Sequence, residues 1–198
     1  MMRSLVREVV QAALLAASIF LLVQTFIPAF RVEQRSMEPT LREGQYLLVN
    51  RAAYLNLGAI LARRASAAEP ELDSVPLFGS PARGDLVVLR HPDRPGQHLI
   101  KRVVGLPGET VEVRGRRLSI GGVPLDEPYL VTPPSYELPP QVIPAGRFFV
   151  LGDNRNNSHD SHVFGPVPRE MIVGKAIPLP HFSLPHPLDD LPTPFRAI

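Results

Sequence analysis

The stretch 98–120, HLIKRVVGLPGETVEVRGRRLSI, decides the fold class of this chain. Short runs rich in Val, Ile and Leu alternate in it with Gly and Pro, a pattern typical of strands joined by tight turns. Residues 110–120 are predicted to form a hairpin that turns near Gly115. The same pattern predicts strands over 46–50, 86–90, 99–106, 110–114, 117–120, 148–151 and 172–177. Several short strands at this spacing predict a mainly β domain, mostly antiparallel and partly closed.

An uncharged apolar run, residues 9–30, precedes the predicted strands. At about 1.5 Å per residue, 22 helical residues span roughly 33 Å, close to the hydrocarbon core of about 30 Å. A cleavable secretory signal would have an apolar region of about 7–15 residues ending in an Ala-x-Ala-like site, which Ile27 and Pro28 interrupt here. We therefore expect a single retained transmembrane helix over 9–30, preceded by residues 1–8. Basic residues flank the run on both sides, so charge leaves its orientation open.

The remainder divides into one predicted β domain, residues 31–177, with an insertion and a tail. Residues 52–81 are rich in Ala and Arg and then in Pro, Ser and Glu, which predicts an inserted, partly mobile segment. The tail, residues 178–198, carries six prolines and is predicted to be extended or disordered. The whole chain has 23 prolines in 198 residues, more than twice the usual share of about 5%, which disfavours long helices beyond the apolar run.

Composition excludes several classes of function. The formal net charge is +2, and no basic block or alternation of basic and aromatic residues occurs, so a nucleic-acid partner is not expected. The absence of cysteine removes thiol nucleophiles, cysteine zinc sites and disulfides.

Three segments carry candidate chemistry. Ser36 precedes a predicted turn at Pro39, although a serine in that position is more often a plain turn residue. Lys101 shares one face of its strand with Leu99 and Val103, so it is a candidate for burial. Desolvation would lower the pKa of its amine from about 10.4 and let it accept a proton, whereas a lysine that snorkels to solvent would keep its charge. The polar run 152–162, GDNRNNSHDSH, is either a solvated loop or a site held by the strand before it.

Taken together, four segments resemble the bacterial type I signal peptidases, the leader peptidase family of Ser/Lys serine proteases. They are SMEPTL at 36–41, RGDLVV at 83–88, KRVVGLPG at 101–108 and GDNRNNS at 152–158. The order and approximate spacing match, and the resemblance covers the apolar run and most of residues 30–177. It implies a β domain of signal-peptidase or LexA-like type. It also implies a membrane-anchored endopeptidase that removes N-terminal signal peptides from exported preproteins after Ala-x-Ala-like sites.

The resemblance also implies a role for each matching residue. Ser36 would be the nucleophile, its backbone N–H an oxyanion donor, and Lys101 the general base. Ser158 would hydrogen-bond the lysine amine, Asp153 would pair with Arg102, and the residue matching Asp160 would help to hold the loop. Pockets for small substrate side chains would be lined by Phe30, Val32, Met37, Leu41, Val88, Leu99 and Ile100. No metal or other cofactor is implied.

Partners and location follow from the same resemblance. The partners would be preproteins delivered by the secretion translocon, together with the lipid bilayer. The chain would be a single-pass protein of the plasma (inner) membrane, with a cytoplasmic N-terminus and an extracytoplasmic catalytic domain.

Two positions depart from the family pattern. Gln34 stands where Gly or Ser is common, and we hypothesise that its amide donates to the oxyanion or narrows the first pocket. His162 stands where an arginine is usual, so it could pair with Asp160 only when protonated, and the loop would loosen as pH rises.

Alternative readings remain open from the sequence. His159, His162 and Asp160 could supply a Ser-His-Asp site or part of a metal site, although no third ligand set follows. A LexA-like self-cleaving protease shares the Ser/Lys pair but begins with a DNA-binding domain. A non-catalytic, membrane-tethered β module could bind translocating chains without cutting them. Within the insertion, an Ala-x-Ala pattern predicts slow self-cleavage after Ala67.

Overall fold

The computed structural model describes residues 2–54, 79–180 and 196–197. One long helix, α1 (Met2–Phe26), precedes β structure, and a four-residue helix, α2 (Ser161–Phe164), lies near the end of the domain. The predicted mainly β fold with antiparallel sheets after an N-terminal apolar helix is confirmed. The strands are β1 (Ala29–Val32), β2 (Tyr46–Asn50), β3 (Leu86–Arg90), β4 (His98–Gly105), β5 (Thr110–Arg114), β6 (Arg117–Ile120), β7 (Val123–Pro124), β8 (Leu138–Val142), β9 (Arg147–Leu151), β10 (Val167–Pro168), β11 (Ile172–Pro178) and β12 (Arg196–Ala197).

Helix α1 ends earlier than the predicted anchor. Residues Val6–Phe26 are long and apolar enough to cross a membrane, and none of this segment is buried in the protein. The prediction of an anchor reaching residue 30 is wrong at its far end, because Ala29–Val32 form β1. Pro28 explains the boundary, since proline has no N–H for a helical hydrogen bond and disfavours helical geometry in the residue before it.

The end of α1 is tied directly to the β domain. The backbone N–H of Arg51, just after β2, donates to the carbonyl oxygen of Phe26 at 3.0 Å. The Arg51 guanidinium donates to the carbonyl of Thr25 at 3.3 Å. A cation at the C-terminal end of a helix interacts favourably with the exposed carbonyls there. These bonds join the helix to the sheet at a fixed point.

The larger sheet closes on itself. Its eight strands run in the order β10-β9-β4-β12-β1-β2-β11-β3, and β3 pairs in addition with β4. Six of these strands therefore form a ring, in which β12 lies between β1 and β4. The β12 strand is parallel to both of its neighbours, whereas the other pairings of this sheet are antiparallel.

A second sheet of four strands, in the order β7-β6-β5-β8, extends from the ring. Its central hairpin turns at Gly115 and Arg116, which have φ angles of 54° and 64°. Positive φ at both central residues defines the type I′ turn, whose twist matches that of paired strands. The hairpin predicted near Gly115 is confirmed. Apolar residues of both sheets form one buried cluster of Val104, Val111, Val113, Leu118, Ile143, Phe149 and Leu151.

Most predicted strands occur with their predicted bounds. Four match at both ends, namely Tyr46–Asn50, Leu86–Arg90, Thr110–Arg114 and Arg117–Ile120. The other three differ by a single residue at one or both ends. The unpredicted strands are β1, β7, β8, β10 and β12.

The two ends of the predicted insertion are packed against the β domain. Ala52–Tyr54 form a 3₁₀ turn in which Tyr54 is buried, and its hydroxyl donates to Asp85 at 2.6 Å. Pro81, at the other end, is also buried. Residues 55–78, including the predicted cleavage after Ala67, lie outside the described residues. Residues 181–195 of the predicted tail do so as well.

Candidate active site

The hydroxyl of Ser36 lies against the amine of Lys101. Ser36 stands in the turn that follows β1, and Lys101 is in the middle of β4. The Lys101 Nζ and Ser36 Oγ atoms are 2.8 Å apart. Ser36 is 6% exposed and Lys101 1%, so bulk water does not separate the two groups. At this distance one proton can pass directly between them.

Burial changes the protonation of the lysine. Desolvation lowers the pKa of Lys101 from 10.5 to about 8, and the carboxylates of Asp160 and Asp153 oppose part of that shift. An amine with a pKa near 8 is uncharged in about a tenth of molecules at pH 7 and in half at pH 8. Lys101 can therefore act as a proton acceptor near neutral pH, which an ordinary surface lysine does poorly.

The turn that carries Ser36 is fixed from two sides. Met37 and Leu41 are 1% and 0% exposed and anchor the turn in the apolar core. The polar loop after β9 holds it from the other side. The backbone N–H of Asn154 donates to the carbonyl of Ser36 at 3.0 Å, and its side-chain amide donates to the carbonyl of Arg35 at 3.1 Å. The polar run 152–158 therefore contacts the Ser36 segment directly.

Arg102 and Asp153 form a two-point ion pair beside the site. The Arg102 Nε and Nη2 atoms donate to the two carboxylate oxygens of Asp153 at 2.8 and 2.6 Å. The Thr40 hydroxyl donates to the same carboxylate at 2.5 Å. Tyr129 packs under the guanidinium, 3.9 Å from its carbon to the ring centre. Bidentate geometry fixes orientation as well as distance, so this cluster joins β4, the Ser36 turn and the loop after β9.

Asp160 holds the far end of that loop. One carboxylate oxygen accepts the backbone N–H of Gly152 at 2.8 Å. The other accepts the N–H of His162 at 3.2 Å and so caps α2. The Asp160 side chain is fully buried, which makes these bonds costly to lose.

Gly152 permits the close approach of loop and turn. A Cβ atom added there would lie 2.3 Å from the Ser158 Oγ and 2.5 Å from the Ser36 carbonyl oxygen. Both distances are shorter than any ordinary contact, so only glycine fits.

The predicted hydrogen bond between Ser158 and Lys101 is not formed. The Ser158 Oγ is buried and has no hydrogen-bond partner among the described residues. The hydroxyl lies against Gly152, close to the Ser36 carbonyl. Here the Lys101 amine is oriented by its contact with Ser36 and by packing.

The two departures from the family pattern differ in their surroundings. Gln34 is exposed, two residues after the end of β1. The His162 Nδ1 atom lies 2.6 Å from Asp160 Oδ1, and its ring stacks on Tyr136 with centroids 4.2 Å apart. The loosening of the loop at higher pH stays a prediction, as do both hypotheses about Gln34.

The seven predicted pocket residues are all buried, but they do not form one surface. Leu99 packs in a separate cluster with Val87, Leu89 and Val103, on the Lys101 side of β4. This follows from strand geometry, because neighbouring side chains point to opposite faces. The other six share one cluster: Phe30, Val32, Met37, Leu41, Val88 and Ile100.

A buried ion pair near the site was missed by the sequence reasoning. The Arg155 guanidinium, fully buried, donates to both carboxylate oxygens of Glu127 at 2.9 and 2.5 Å. Its Nε donates to the Gly152 carbonyl at 3.1 Å. The available signal was an arginine inside an otherwise uncharged part of the polar run. The glutamate lies 28 residues away in an irregular segment, which no local pattern connects to the arginine.

Among the described residues, neither His159 nor His162 is hydrogen-bonded to the Ser36 hydroxyl, and the contacts of both rings lie elsewhere. His159 stacks on His91 with ring centroids 5.6 Å apart, and His162 pairs with Asp160. Among the residues that the structure describes, no three His, Cys, Asp or Glu side chains are grouped so that they could hold a metal ion.

A β domain that buries a serine hydroxyl against a low-pKa amine defines a candidate serine hydrolase. Comparison with known proteins identifies the family. Residues 2–179 match the family model "Signal peptidase, peptidase S26". The chain belongs to the signal peptidase family, and it is a peptidase.

Two relatives agree with this assignment by sequence. The chain is 40% identical to a signal peptidase I of Leptolyngbya laminosa over 78% of this chain and 70% of that protein. It is 33% identical to a signal peptidase I of Bacillus amyloliquefaciens over 83% of this chain and 79% of that protein. A crystal structure of a signal peptidase I from Enterococcus faecalis V583 is similar at 36% identity, with a TM-score of 0.45, over 49% of this chain and 97% of that one.

Proposed function

We propose that this chain is a membrane-anchored endopeptidase that removes signal peptides from exported preproteins with a Ser36/Lys101 pair. The observation that carries the proposal is the 2.8 Å approach of the Lys101 amine to the Ser36 hydroxyl in a buried site. In this proposal residues 31–177 are the catalytic domain.

The chemistry proceeds in two halves. Neutral Lys101 accepts the proton of the Ser36 hydroxyl while Oγ attacks the scissile carbonyl carbon. The protonated amine then gives that proton to the departing amino group, and an ester joins the signal peptide to Ser36. In the second half Lys101 takes a proton from water, whose oxygen attacks the ester carbonyl. Lys101 then returns that proton to Ser36 Oγ as the ester C–O bond breaks. The Ser36 backbone N–H, held in its turn by neighbouring bonds, is the proposed donor to the oxyanion.

Substrate choice is assigned to the apolar residues around the serine. Six of the seven predicted pocket residues form one buried cluster that includes Met37, next to the nucleophile. Shallow apolar depressions accept small side chains and exclude large or charged ones. We assign to this cluster the preference for Ala-like residues at the −1 and −3 positions of the preprotein that the resemblance implies. Leu99, in its separate cluster, is instead proposed to pack around Lys101.

Membrane attachment is assigned to Val6–Phe26. A segment of 21 residues is long enough to span, and it is wholly unburied in the protein. The active serine follows the end of α1 by ten residues, so the site would face the membrane surface. The proposed orientation places the N-terminus in the cytoplasm and the β domain outside the plasma membrane, where preproteins leave the secretion translocon.

The direct test uses the full chain in detergent with a precursor that carries an Ala-x-Ala site. We expect release of the mature protein with a new N-terminus directly after the second Ala, as read by mass spectrometry. Ser36→Ala and Lys101→Ala should both abolish release. Lys175→Ala is the matched control, because Lys175 is the one other lysine in the sequence and pairs with Asp85. Cleavage by Ser36→Ala, or binding of the precursor without product, would contradict the proposal.

A further inference from the structure

The ring of the larger sheet is completed by a strand from far along the chain. Without β12, the ladders β1–β2, β2–β11, β11–β3 and β3–β4 would leave the edges of β1 and β4 facing each other. Strands in a sheet lie about 4.8 Å apart, so the space between β1 and β4 is about 10 Å wide, the width of one extended chain. Arg196–Ala197 fill that space and pair on both sides. Arg196 is opposite Arg31, and Ala197 is opposite both Val32 and His98.

This space adjoins the proposed catalytic pair. Val32 is four residues before Ser36, and His98 is three residues before Lys101 on the same strand. A peptide that presents a carbonyl to Ser36 while lying extended against β1 or β4 would need the same backbone N–H and C=O groups. The β12 strand and an extended substrate therefore compete for one set of hydrogen-bond partners.

The described chain before this segment ends close to β1 in the sheet. The N–H of Leu179 donates to the carbonyl of Tyr46 at 3.3 Å, and Tyr46 is the β2 partner of Arg31. The segment thus leaves the sheet beside β2, the direct neighbour of β1. Fifteen residues, 181–195, connect it to β12, and such a length can extend at most about 50 Å.

The same segment is a poor substrate for the proposed reaction. Residues 178–198, PLPHFSLPHPLDDLPTPFRAI, contain one alanine and no Ala-x-Ala pattern. It can therefore occupy the space without presenting the small residues at −1 and −3 that cleavage is proposed to require.

We propose that Arg196–Ala197 is an internal occupant of the peptide cleft between β1 and β4, which an incoming preprotein must displace. The inference rests on the proposed function for its effect on turnover, whereas the contact itself can be tested without turnover. A short tether makes the segment compete like a free peptide at a concentration on the order of mM. Because only two of its residues pair with the sheet, a good substrate displaces it readily.

The contact is tested by disulfide trapping, for which this chain is well suited because it has no cysteine. Arg31→Cys with Arg196→Cys places two thiols at directly paired positions of neighbouring strands, within the Cα separation that a disulfide spans. Diamide, the oxidant, should convert the two thiols to a disulfide in the full chain in detergent, visible as a loss of free thiol. The matched control is Arg31→Cys with Arg114→Cys, since Arg114 is exposed in the other sheet. Trapping no faster than in the control pair overturns the inference.

The effect on turnover is tested in the same variants. The trapped form should cleave precursor at least tenfold more slowly than the same protein after reduction. In a second variant, Arg196→Pro with Ala197→Pro removes both backbone N–H groups, and proline is not tolerated between two paired strands. Its apparent KM should fall about two- to tenfold, as expected when a tethered competitor is removed, with kcat unchanged. Arg196→Gln keeps the backbone donor and should leave KM as it is.

The two proposals fail in different ways. If the disulfide between positions 31 and 196 forms in a protein that cuts no precursor, the proposed function is refuted and the contact between β12 and β1 is established. If the double-proline variant cleaves precursor normally with an unchanged KM, the proposal that β12 occupies the cleft is refuted, and the proposed peptidase function is retained.

Discussion

Replacement of Lys101 by methionine should inactivate the protein and stabilise it. The folded protein holds the pKa of this amine at about 8, against 10.5 for the free side chain. Because the pKa is depressed on folding, the unfolded chain binds more protons between these values, and stability rises with pH there. Each pKa unit corresponds to about 1.4 kcal/mol, so below pH 8 the buried lysine destabilises the fold by roughly 3 kcal/mol. Methionine has similar length and no charge to desolvate.

The expected gain depends on pH in a defined way. At pH 7, Lys101→Met should unfold roughly 3 kcal/mol less readily than the parent, equivalent to about 6–12 °C in Tm for a chain of this size. At pH 9.5 the folded lysine is already neutral, and the pH is only about one unit below the pKa of the unfolded lysine. The gain should therefore shrink to roughly 1 kcal/mol. Precursor cleavage should fall about 10²–10⁴-fold at either pH, the range that general-base catalysis contributes.

The assay is denaturant unfolding in detergent, followed by circular dichroism because the chain has no tryptophan. Lys175→Met is the control: its amine lies 2.5 Å from Asp85, but the side chain is 45% exposed. Loss of that exposed pair should lower stability by about 1 kcal/mol or less, with cleavage retained. A Lys101→Met protein that is less stable than the parent at pH 7, or a gain that does not change with pH, would refute the reasoning.

Three further outcomes follow from the site. The kcat/KM for precursor cleavage should rise with pH around a midpoint near 8, because only the neutral form of Lys101 accepts a proton; a flat rate from pH 6 to 9 would exclude it as the base. Gly152→Ala should lower kcat about 100-fold, since its Cβ would press on the carbonyl of Ser36, the proposed nucleophile, and small displacements at a reacting group have effects of that size. Gly105→Ala, whose Cβ would meet mainly a flexible side-chain end, should instead lower Tm and spare kcat, as activity and melting assays would show. Arg155→Met should cost about 3–5 kcal/mol in denaturant unfolding, because it leaves the Glu127 carboxylate buried without its partner; pairing it with Glu127→Gln should recover part of that loss, and no recovery would argue against the buried pair.

Sequence periodicity predicted those parts of the fold that are locally determined. The hairpin β5–β6 has alternating apolar residues and a glycine turn, so its bounds could be predicted to the residue. β8 could not, because Pro139 and Pro140 argue against a strand. Its position at the edge of the four-stranded sheet, paired with β5 alone, is where missing N–H donors are tolerated. β1 was hidden because its apolar residues continue those of the helix.

The site divides in the same way. Lys101 could be selected because the apolar residues on its strand face predict burial, and the depressed pKa follows from that burial. The Ser158 hydroxyl was misplaced because its position depends on how the loop folds over Gly152, a contact between segments that the sequence does not encode locally. The Arg155–Glu127 pair was missed for the same reason.

The bonds from Arg51 to the last turn of α1 fix the distance between the end of the helix and the β domain. If α1 is the membrane anchor, as proposed, the height of the Ser36 hydroxyl above the lipid is set by the backbone hydrogen bond from Arg51 to Phe26 and by the pairing of β2 with β1. A preprotein would then be cut at a fixed distance from the point where its own apolar segment leaves the membrane. Adding one helical turn beyond that exit should shift the cleavage position or prevent cleavage, even when the small residues at the cut are unchanged.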